Sequence, residues 1–542
     1  MGQNSSVLPR ARLLELLRAE SGDLWVVAVF SVAIGLLSLS VPVATQALVN
    51  TVAFGNLLQP MLILSLLVVC VLGVSAVLQL LRFRAVEYLQ RRVFVRLASE
   101  SVNRLLRARA DELRLQNGPE VVNRFLDVVT VQKAGATLLV DGLSVTMQTA
   151  MGMALLAVYH PWLLVFDVFI LAALLVVVFP LGSGAVPTAI GESKAKYALV
   201  GWLEEIARNV TTFRGEAQTR FAFQRCDALV QEYLGYRSSH FRIVVRQFAG
   251  SLALQAAASA ALLGVGGMLV IQRQLTLGQL VAAELVVAAV LSGITKFAKH
   301  LETFYDLMAA LDKLGVLTGL AVEQSGDEPV PPGPGAAQLV VRSGSHTLAV
   351  AAGEKVGLIG SSGAGKSTLL DTICGYGPPL GGTVELDGCD LRSLRLHELR
   401  SQIALVRGVE IFHGSVLDNV RVGRELSSPD VQKALAKVGI WGAIQQLPDG
   451  LASILATGGA PLSTGQQQAL MFARAIVGQP RLLLVDEALD LVQDAEDREA
   501  LTSLLFGASA PWTLILVTSR PELLRRCTRV LRLNADGLRE AA

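Results

Sequence analysis

The chain has 542 residues, enough for several domains, with 52% apolar and 17% charged residues and a mean hydropathy of +0.51. That balance excludes an ordinary water-soluble globular protein and points to a membrane protein. A net charge of only +2 gives no basis for a nucleic-acid partner. The five scattered cysteines (Cys70, Cys226, Cys374, Cys389, Cys527) have neither metal nor redox spacing, so reduced thiols are expected.

In chain order, Met1-Gly-Gln-Asn-Ser-Ser6 fits the short N-myristoylation pattern, although a chain with several spans gains little from one acyl chain. The first apolar run is too long for a cleaved signal peptide and reads as a span. Stretches of about 20 residues, the length that crosses a bilayer, recur as Leu24–Leu48, Leu57–Leu81, Thr137–His160, Trp162–Gly182, Ala249–Ile271 and Leu277–Phe297. The connections Asn50–Asn56, Tyr159–Trp162 and Gln272–Thr276 are short, and Arg273 is their only basic residue. Two long connections, Arg82 to Lys133 and Lys194 to Arg246, are rich in arginine. The positive-inside rule places both of them, and both termini, in the cytoplasm.

Ala85–Arg107 and Gly191–Arg246 have few Gly or Pro and carry apolar residues at helical spacing. The membrane helices are therefore expected to extend well into the cytoplasm. Asn117-Gly-Pro119 and Asn209–Gly215 are the expected turning points. Asp141, Asp167 and Glu284 fall inside spans, where a carboxylate is costly and marks a functional candidate. Asp141 and Asp167 lie near span ends, so an interfacial position is expected for them. Glu284 lies deeper and is the better candidate for lining a cavity, with Gln148 and Gln255 as weaker ones. Gln324–Ala337, with Pro329, Pro331, Pro332 and Pro334, reads as a linker.

Beyond the linker the pattern changes to α/β. Lys355-Val-Gly-Leu-Ile359 is an apolar strand, and it enters Gly360-Ser361-Ser362-Gly363-Ala364-Gly365-Lys366-Ser367-Thr368. This string fits the phosphate loop G-x-x-x-x-G-K-[ST]. Its glycines let backbone N–H groups converge on the β- and γ-phosphates of ATP, Lys366 adds a point charge, and the Ser367 hydroxyl can ligate Mg²⁺. Leu482-Leu-Leu-Val-Asp486-Glu487 reads as a buried strand that delivers Asp486 to the Mg²⁺ and Glu487 to a water beside the γ-phosphate. Between these two motifs stands Leu462-Ser463-Thr464-Gly465-Gln466.

The last string resembles the LSGGQ signature of ATP-binding cassette proteins, at that family's usual distance before a Walker B strand. The resemblance covers nearly the whole chain and implies an exporter-type half-transporter. The expected fold is a membrane α-helical bundle of about six spans with long cytoplasmic helical extensions, followed by an α/β P-loop NTPase domain with a helical subdomain. The expected boundaries are residues 1–322 for the membrane domain, 323–337 for the linker and 338–542 for the nucleotide-binding domain. The resemblance further implies ATP and Mg²⁺ as cofactors. It assigns Glu487 as the catalytic residue, Gly360 to Thr368 and Ser463 to Gln466 as nucleotide contacts, and Ser367 and Asp486 as metal ligands. In the family the signature caps a γ-phosphate held by the other subunit, so the partner is a second cassette half-transporter, as a homodimer or a heterodimer. The tips of the long connections would touch the ATPase domain or, equally compatible with the sequence, be surface turns of a helical hairpin.

Within the exporters, Gln274-Leu-Thr-Leu-Gly-Gln-Leu-Val-Ala-Ala-Glu284, Phe304-Tyr-Asp-Leu-Met-Ala-Ala-Leu-Asp-Lys313 and Gly459-Ala-Pro461 resemble type I secretion and bacteriocin-export ATPases. That implies a peptide or protein cargo passed to a periplasmic adaptor across a bacterial inner membrane. The first span starts near Leu24, so the peptidase-like domain often found in that group, and with it leader cleavage, is not expected. A lipid or drug exporter is the alternative. A regulatory or assembly subunit that binds ATP without turnover is the rival class, against which the retained Lys366 and Glu487 argue.

The cassette also departs from its family. In Val406-Arg407-Gly408-Val-Glu-Ile-Phe412-His-Gly414-Ser415-Val-Leu-Asp-Asn419, Gly408 stands where the Q-loop glutamine belongs. Asp490-Leu-Val-Gln493 replaces S-A-L-D, so the aspartate that crosses the dimer interface is displaced or absent. Ser519-Arg520 replaces the switch His-Arg, and serine cannot be cationic. No Tyr or Phe lies between Ala336 and Lys355 to stack on adenine. The expectation is retained nucleotide binding with slow hydrolysis.

Overall fold

The computed structural model describes residues 9–54, 58–115, 118–331, 333, 335–343, 346–377, 382–507, 510–534 and 537–540. The myristoylation match at Met1–Ser6, Leu57 of the second expected span, Asn117 of the first expected turn, and Pro332 and Pro334 of the linker lie outside the described residues. The chain forms two compact units, one from Met1–Arg107 and Gln116–Leu320, the other from Ala108–Leu115 and Ala321–Ala542.

The first unit is helical throughout. Its long helices are Ser21–Ser38 (α1), Ser40–Phe54 (α2), Leu58–Arg107 (α3), Leu143–Tyr159 (α4), Pro161–Val178 (α5), Ala185–Arg208 (α6), Glu216–Ile271 (α7) and Leu277–Thr318 (α8). Among the described residues five stretches are long and apolar enough to cross a membrane, within Ser21–Thr51, Met61–Arg107, Glu120–Tyr159, Pro161–Val178 and Glu216–Ile271; a shorter apolar helix follows at Leu277–Gly293. Leu62, Ile63, Leu66 and Val69 are 63–72% exposed on the outside of α3, a face that water would not tolerate but lipid does.

At 1.5 Å per residue, the 56 residues of α7 span about 84 Å, far more than the roughly 30 Å of a bilayer core. The expected long extensions are therefore real helices. The α6–α7 reversal falls at Asn209–Gly215, where the Asn209 N–H closes α6 on Glu205 O at 3.0 Å.

The expected span Leu24–Leu48 lies within one of the five apolar stretches, Ser21–Thr51, which is divided between α1 and α2. Pro42 has no N–H to offer Ser38, and the chain breaks at Leu39. The expected span Thr137–His160 carries a π-helical turn, Leu138–Gly142, which contains Asp141.

The inner face of α4, α5, α7 and α8 is a stripe of Leu156, Leu163, Ile170, Leu254, Ala258, Leu262, Val286 and Val290. A Cβ on Gly152 would lie 2.9 Å from Val286 Cγ1, so glycine is what lets α4 approach α8. His160 starts α5 by accepting the Trp162 N–H at 3.2 Å, with Pro161 at the first position.

The second unit is α/β. Its strands are Leu339–Ser343 (β1), His346–Val350 (β2), Lys355–Ile359 (β3), Gly382–Leu386 (β4), Cys389–Asp390 (β5), Ile403–Val406 (β6), Gly414–Ser415 (β7), Ile454–Leu455 (β8), Leu482–Asp486 (β9), Thr513–Val517 (β10), Arg529–Asn534 (β11) and Gly537–Glu540 (β12). They build a six-stranded sheet in the order β12-β11-β3-β10-β9-β6, parallel except at β12, and an antiparallel sheet in the order β2-β1-β4-β5. Every residue of β9 and β10 is buried, which is what unbroken apolar runs predict for the centre of a parallel sheet.

Helices Val416–Arg421 (α9), Ser428–Lys437 (α10) and Thr464–Val477 (α11) form a helical subdomain between β6 and β9, around the fully buried Phe472 and Leu435. The proline-rich stretch before β1 is pinned rather than free at its start. Arg400 grips Glu323 through both guanidinium nitrogens at 2.8 and 2.9 Å, and the Gly326 and Glu328 amides donate to Leu394 O and Ser393 O at 3.1 and 2.9 Å.

Candidate functional site

Parallel α/β sheets bind ligands at the carboxyl ends of their strands, and three sequence motifs end there. The first leaves β3. Gly363 and Gly365 have φ of +81° and +92°, a conformation in which any side chain is strained. A Cβ on Gly360 would meet Leu533 O at 2.5 Å. The loop then opens the helix Lys366–Ile373, so its first N–H groups face outward as an anion site. Lys366 Nζ arches back over the loop and donates to Gly360 O at 3.0 Å and Ser361 O at 3.1 Å. Ser361, Ser362, Ser367 and Thr368 are exposed, while Ala364 is half-buried.

The second motif leaves β9. Asp486 is its last residue and is buried, and Glu487 follows, exposed, at φ +56°. The Glu487 N–H donates to Val517 O at 3.0 Å, which anchors it to β10. A non-glycine residue held in the left-handed region costs about 1–2 kcal/mol, and such strain gathers at functional sites.

The third end is that of β10, where the family has a cation. Here Asp490 takes over. Its carboxylate accepts from Thr518 Oγ1 at 2.5 Å, Ser519 N at 3.0 Å and Ser519 Oγ at 3.2 Å, with Arg520 Nε at 3.7 Å. Gln493 is exposed. Asp494, one residue later, is committed to capping the next helix through the Glu496 and Asp497 amides at 2.8 and 3.1 Å.

Ser463 caps α11 in a capping box. Its Oγ accepts the Gln466 N–H at 3.3 Å, and Gln466 Oε1 accepts the Ser463 N–H at 2.9 Å. Ser463 and Thr464 are exposed and Gly465 is half-buried, so the start of a 14-residue helix is presented outward. Among the described residues no hydrogen bond joins this segment to the Gly360–Thr368 loop. Gly360–Thr368, Asp486 and Glu487 share one sheet edge.

Sequence reasoning missed Arg407, which follows β6. Its Nε donates to Asp486 Oδ2 at 2.7 Å and its Nη1 to Asp371 Oδ1 at 3.0 Å. Gly408 itself is exposed and faces open space. The signal was present as a basic residue beside the vacant glutamine position. Asn419 ends the Q-loop string. It is fully buried and ties Phe412 and Ser415 together.

In the helical unit the three span carboxylates differ in burial. Asp167 is 5% exposed, and neither of its oxygens has a hydrogen-bond partner, whereas Glu284 and Asp141 are exposed. Asp167 shares the inward stripe of Leu163, Phe166 and Ile170. Glu284 points away from the packed Ala282, Ala283, Val286 and Val287. Rotational phase on the helix decides this, not distance from the span end. Gln148 is exposed and Gln255 half-buried.

Residues 345–490 match the protein family described as ABC transporter, and residues 24–294 match the ABC transporter transmembrane region. The chain belongs to the ABC transporter family. It joins the membrane region and the cassette in one polypeptide, as a half-transporter does. It is 34% identical over 197 residues to an "ATP-dependent lipid A-core flippase" of Thiobacillus denitrificans, covering 36% of this chain and 34% of that protein. It is 34% identical over 211 residues to the flippase of Burkholderia thailandensis, covering 37% and 35%. It is 32% identical over 200 residues to "Multidrug resistance protein sirA" of Leptosphaeria maculans, covering 36% and 16%. The chain thus spans about a third of the length of the flippases it matches. A solved bacterial Atm1-family ABC exporter with ATP bound superposes with a TM-score of 0.80 over 96% of this chain and 94% of that one, at 19% identity, which shows the shared fold.

The cassette of this family uses ATP with Mg²⁺. The residues present fit that pair. The loop glycines leave room for phosphate oxygens, and Ser367 and Asp486 are oxygen donors of the kind Mg²⁺ takes. Arg407 already sits on Asp486.

Proposed function

We propose that this chain is one half of an ATP-driven exporter that works as a dimer in a bacterial inner membrane, with its ATPase unit in the cytoplasm and slow hydrolysis in its own site. One observation carries the reading: the phosphate loop, Asp486 and Glu487 share a sheet edge, while the Ser463 helix start is exposed. Each site then needs the signature of a second cassette subunit, in a homodimer or a heterodimer. Lys366 and the N–H groups of residues 363–367 bind the β- and γ-phosphates. Ser367 and Asp486 are the residues that would hold Mg²⁺, whose charge would offset that of the phosphates. Glu487 orients the attacking water, and Ser463 to Gln466 of the second copy close over the γ-phosphate.

Slow turnover follows from what faces that phosphate. Gly408 offers no side-chain amide and Ser519 no cationic side chain, and the Asp490 carboxylate takes up the Ser519 N–H and hydroxyl, with Arg520 beside it. Removing one transition-state donor typically costs about 10²–10³ in rate. These groups act as a unit, so the losses do not simply multiply.

For the cargo, the Gln274–Glu284 and Phe304–Lys313 strings favour a peptide or protein handed to a periplasmic adaptor. The names of the flippase relatives favour an amphipathic lipid. Transport into vesicles with Lys366→Ala as control, offering each cargo class in turn, separates the two.

The hydrolysis reading is tested by steady-state turnover of the purified chain against Glu487→Gln. Turnover below about 1 s⁻¹ is expected, against typical enzyme values of 1–10³ s⁻¹. Faster turnover that collapses in the variant would overturn it.

A further inference from the structure

Arg407 bridges three parts of the site. Its guanidinium donates to Asp486 at the end of β9, to Asp371 on the helix after the phosphate loop, and to the Ser367 carbonyl at 3.3 Å. The two carboxylate side chains are 5% and 12% exposed, and the arginine's is 24% exposed, so this is an enclosed cluster rather than a surface pair. The Arg407 backbone is held as well, since the fully buried Gln468 donates its Nε2 to Arg407 O at 3.3 Å. The guanidinium thus contacts one residue expected to ligate the metal through its carboxylate and the other through its backbone.

Mg²⁺ takes near-octahedral oxygen ligation and relies on one or two carboxylates to hold it. A guanidinium bound to the same carboxylate competes for it, and a second positive charge at contact distance repels the metal. Glutamine, the family's residue in this loop, would do neither, being neutral. A chain with arginine here carries part of the metal's charge covalently.

We propose that Arg407 is a tethered cation that competes with Mg²⁺ for Asp486, so that the site takes ATP with little help from the metal. This positioning role rests on the nucleotide-binding reading above. It separates from a merely structural ion pair, which would change the melting temperature and leave metal dependence untouched.

The test uses the purified full-length chain in detergent and a fluorescent N-methylanthraniloyl-ATP, titrated in EDTA and again in millimolar free Mg²⁺. For the unaltered chain, Mg²⁺ is expected to tighten binding by less than about threefold. For Arg407→Gln it is expected to tighten binding by about tenfold or more, inside the roughly 5–150-fold range of coupling between ligands on one protein. Arg407→Lys, which keeps the charge, should behave like the unaltered chain. Equal metal dependence in the unaltered chain and Arg407→Gln overturns the proposal. So does tenfold tightening in the unaltered chain, whether or not the variant folds. If the unaltered chain binds no nucleotide under either condition, the nucleotide-binding reading falls and takes this one with it.

Discussion

Asn419 offers the most direct check on how the Q-loop remnant is held. The residue is fully buried. Its Oδ1 accepts from the Phe412 N–H at 3.2 Å and from Arg474 Nη2 at 3.0 Å, and its Nδ2 donates to Phe412 O at 3.0 Å and Ser415 O at 3.1 Å. Asn419→Ala removes these partners from both backbone groups of Phe412. Arg474 keeps its bonds to Asn419 O at 2.6 Å and Glu410 O at 2.7 Å, so the arginine itself is not orphaned.

An unsatisfied buried group costs about 1–3 kcal/mol. Phe412 is 43% exposed, so water can relieve part of that. A total of roughly 2–4 kcal/mol follows for the two groups. In a unit of this size each kcal/mol lowers the melting temperature by roughly 2–4 °C, so a fall of roughly 4–16 °C is expected. The assay is thermal unfolding of the purified chain followed by fluorescence, together with hydrogen exchange at the Phe412 amide, which should accelerate. Asn419→Asp keeps both acceptor contacts but sets a carboxylate oxygen against Phe412 O and Ser415 O, so it should be destabilised as well. A shift below about 1 °C with unchanged exchange at Phe412 would refute the reasoning.

Glu323→Gln should loosen the segment ahead of β1 without freeing Arg400, which keeps Gly375 O at 2.8 Å and the Tyr376 ring at 4.4 Å. A cost of about 1–3 kcal/mol and faster hydrogen exchange at the Gly326 and Glu328 amides are expected. Cys374, 3% exposed behind the phosphate-loop helix, has its thiol pushed up to about 12 by burial, with Asp371 adding to the effect. Maleimide labelling of Cys374 in the folded chain should therefore stay slow from about pH 7 to about pH 9 and become fast on unfolding. The unfolded thiol ionises near 9.0 while the folded one keeps its proton to about 12, so the unfolded state binds fewer protons in between and stability falls as pH rises through that window.

Much of the cassette was legible because its motifs are local. Gly363 and Gly365 adopt positive φ for reasons contained in the loop itself, and the unbroken apolar run before Asp486 predicts a strand buried on both faces. The same holds for the long helices, whose turns at Asn209–Gly215 and His160-Pro161 are written in their own residues. The break at Leu39 was also present, as Pro42, but hydropathy averaged over a window passes across one missing N–H. Register was harder. Counted forward from β6, Gly408 takes the glutamine's place, yet the side chain that reaches Asp486 belongs to its neighbour, Arg407.

Sequence alone determined which stretches are apolar enough for a bilayer, that a phosphate loop and a signature are present, and which family residues are replaced, because each depends on contiguous residue types. The tertiary structure alone decided which charges meet. Arg407 and Asp486 are 79 residues apart and touch only because β6 and β9 are neighbours in the parallel sheet. Asp490 reaches Ser519 only because β9 lies beside β10. Asp167 rather than Glu284 is buried because helix packing selects a rotational face, and electrostatic partners, unlike hydropathy, are set by distance in space rather than by order along the chain.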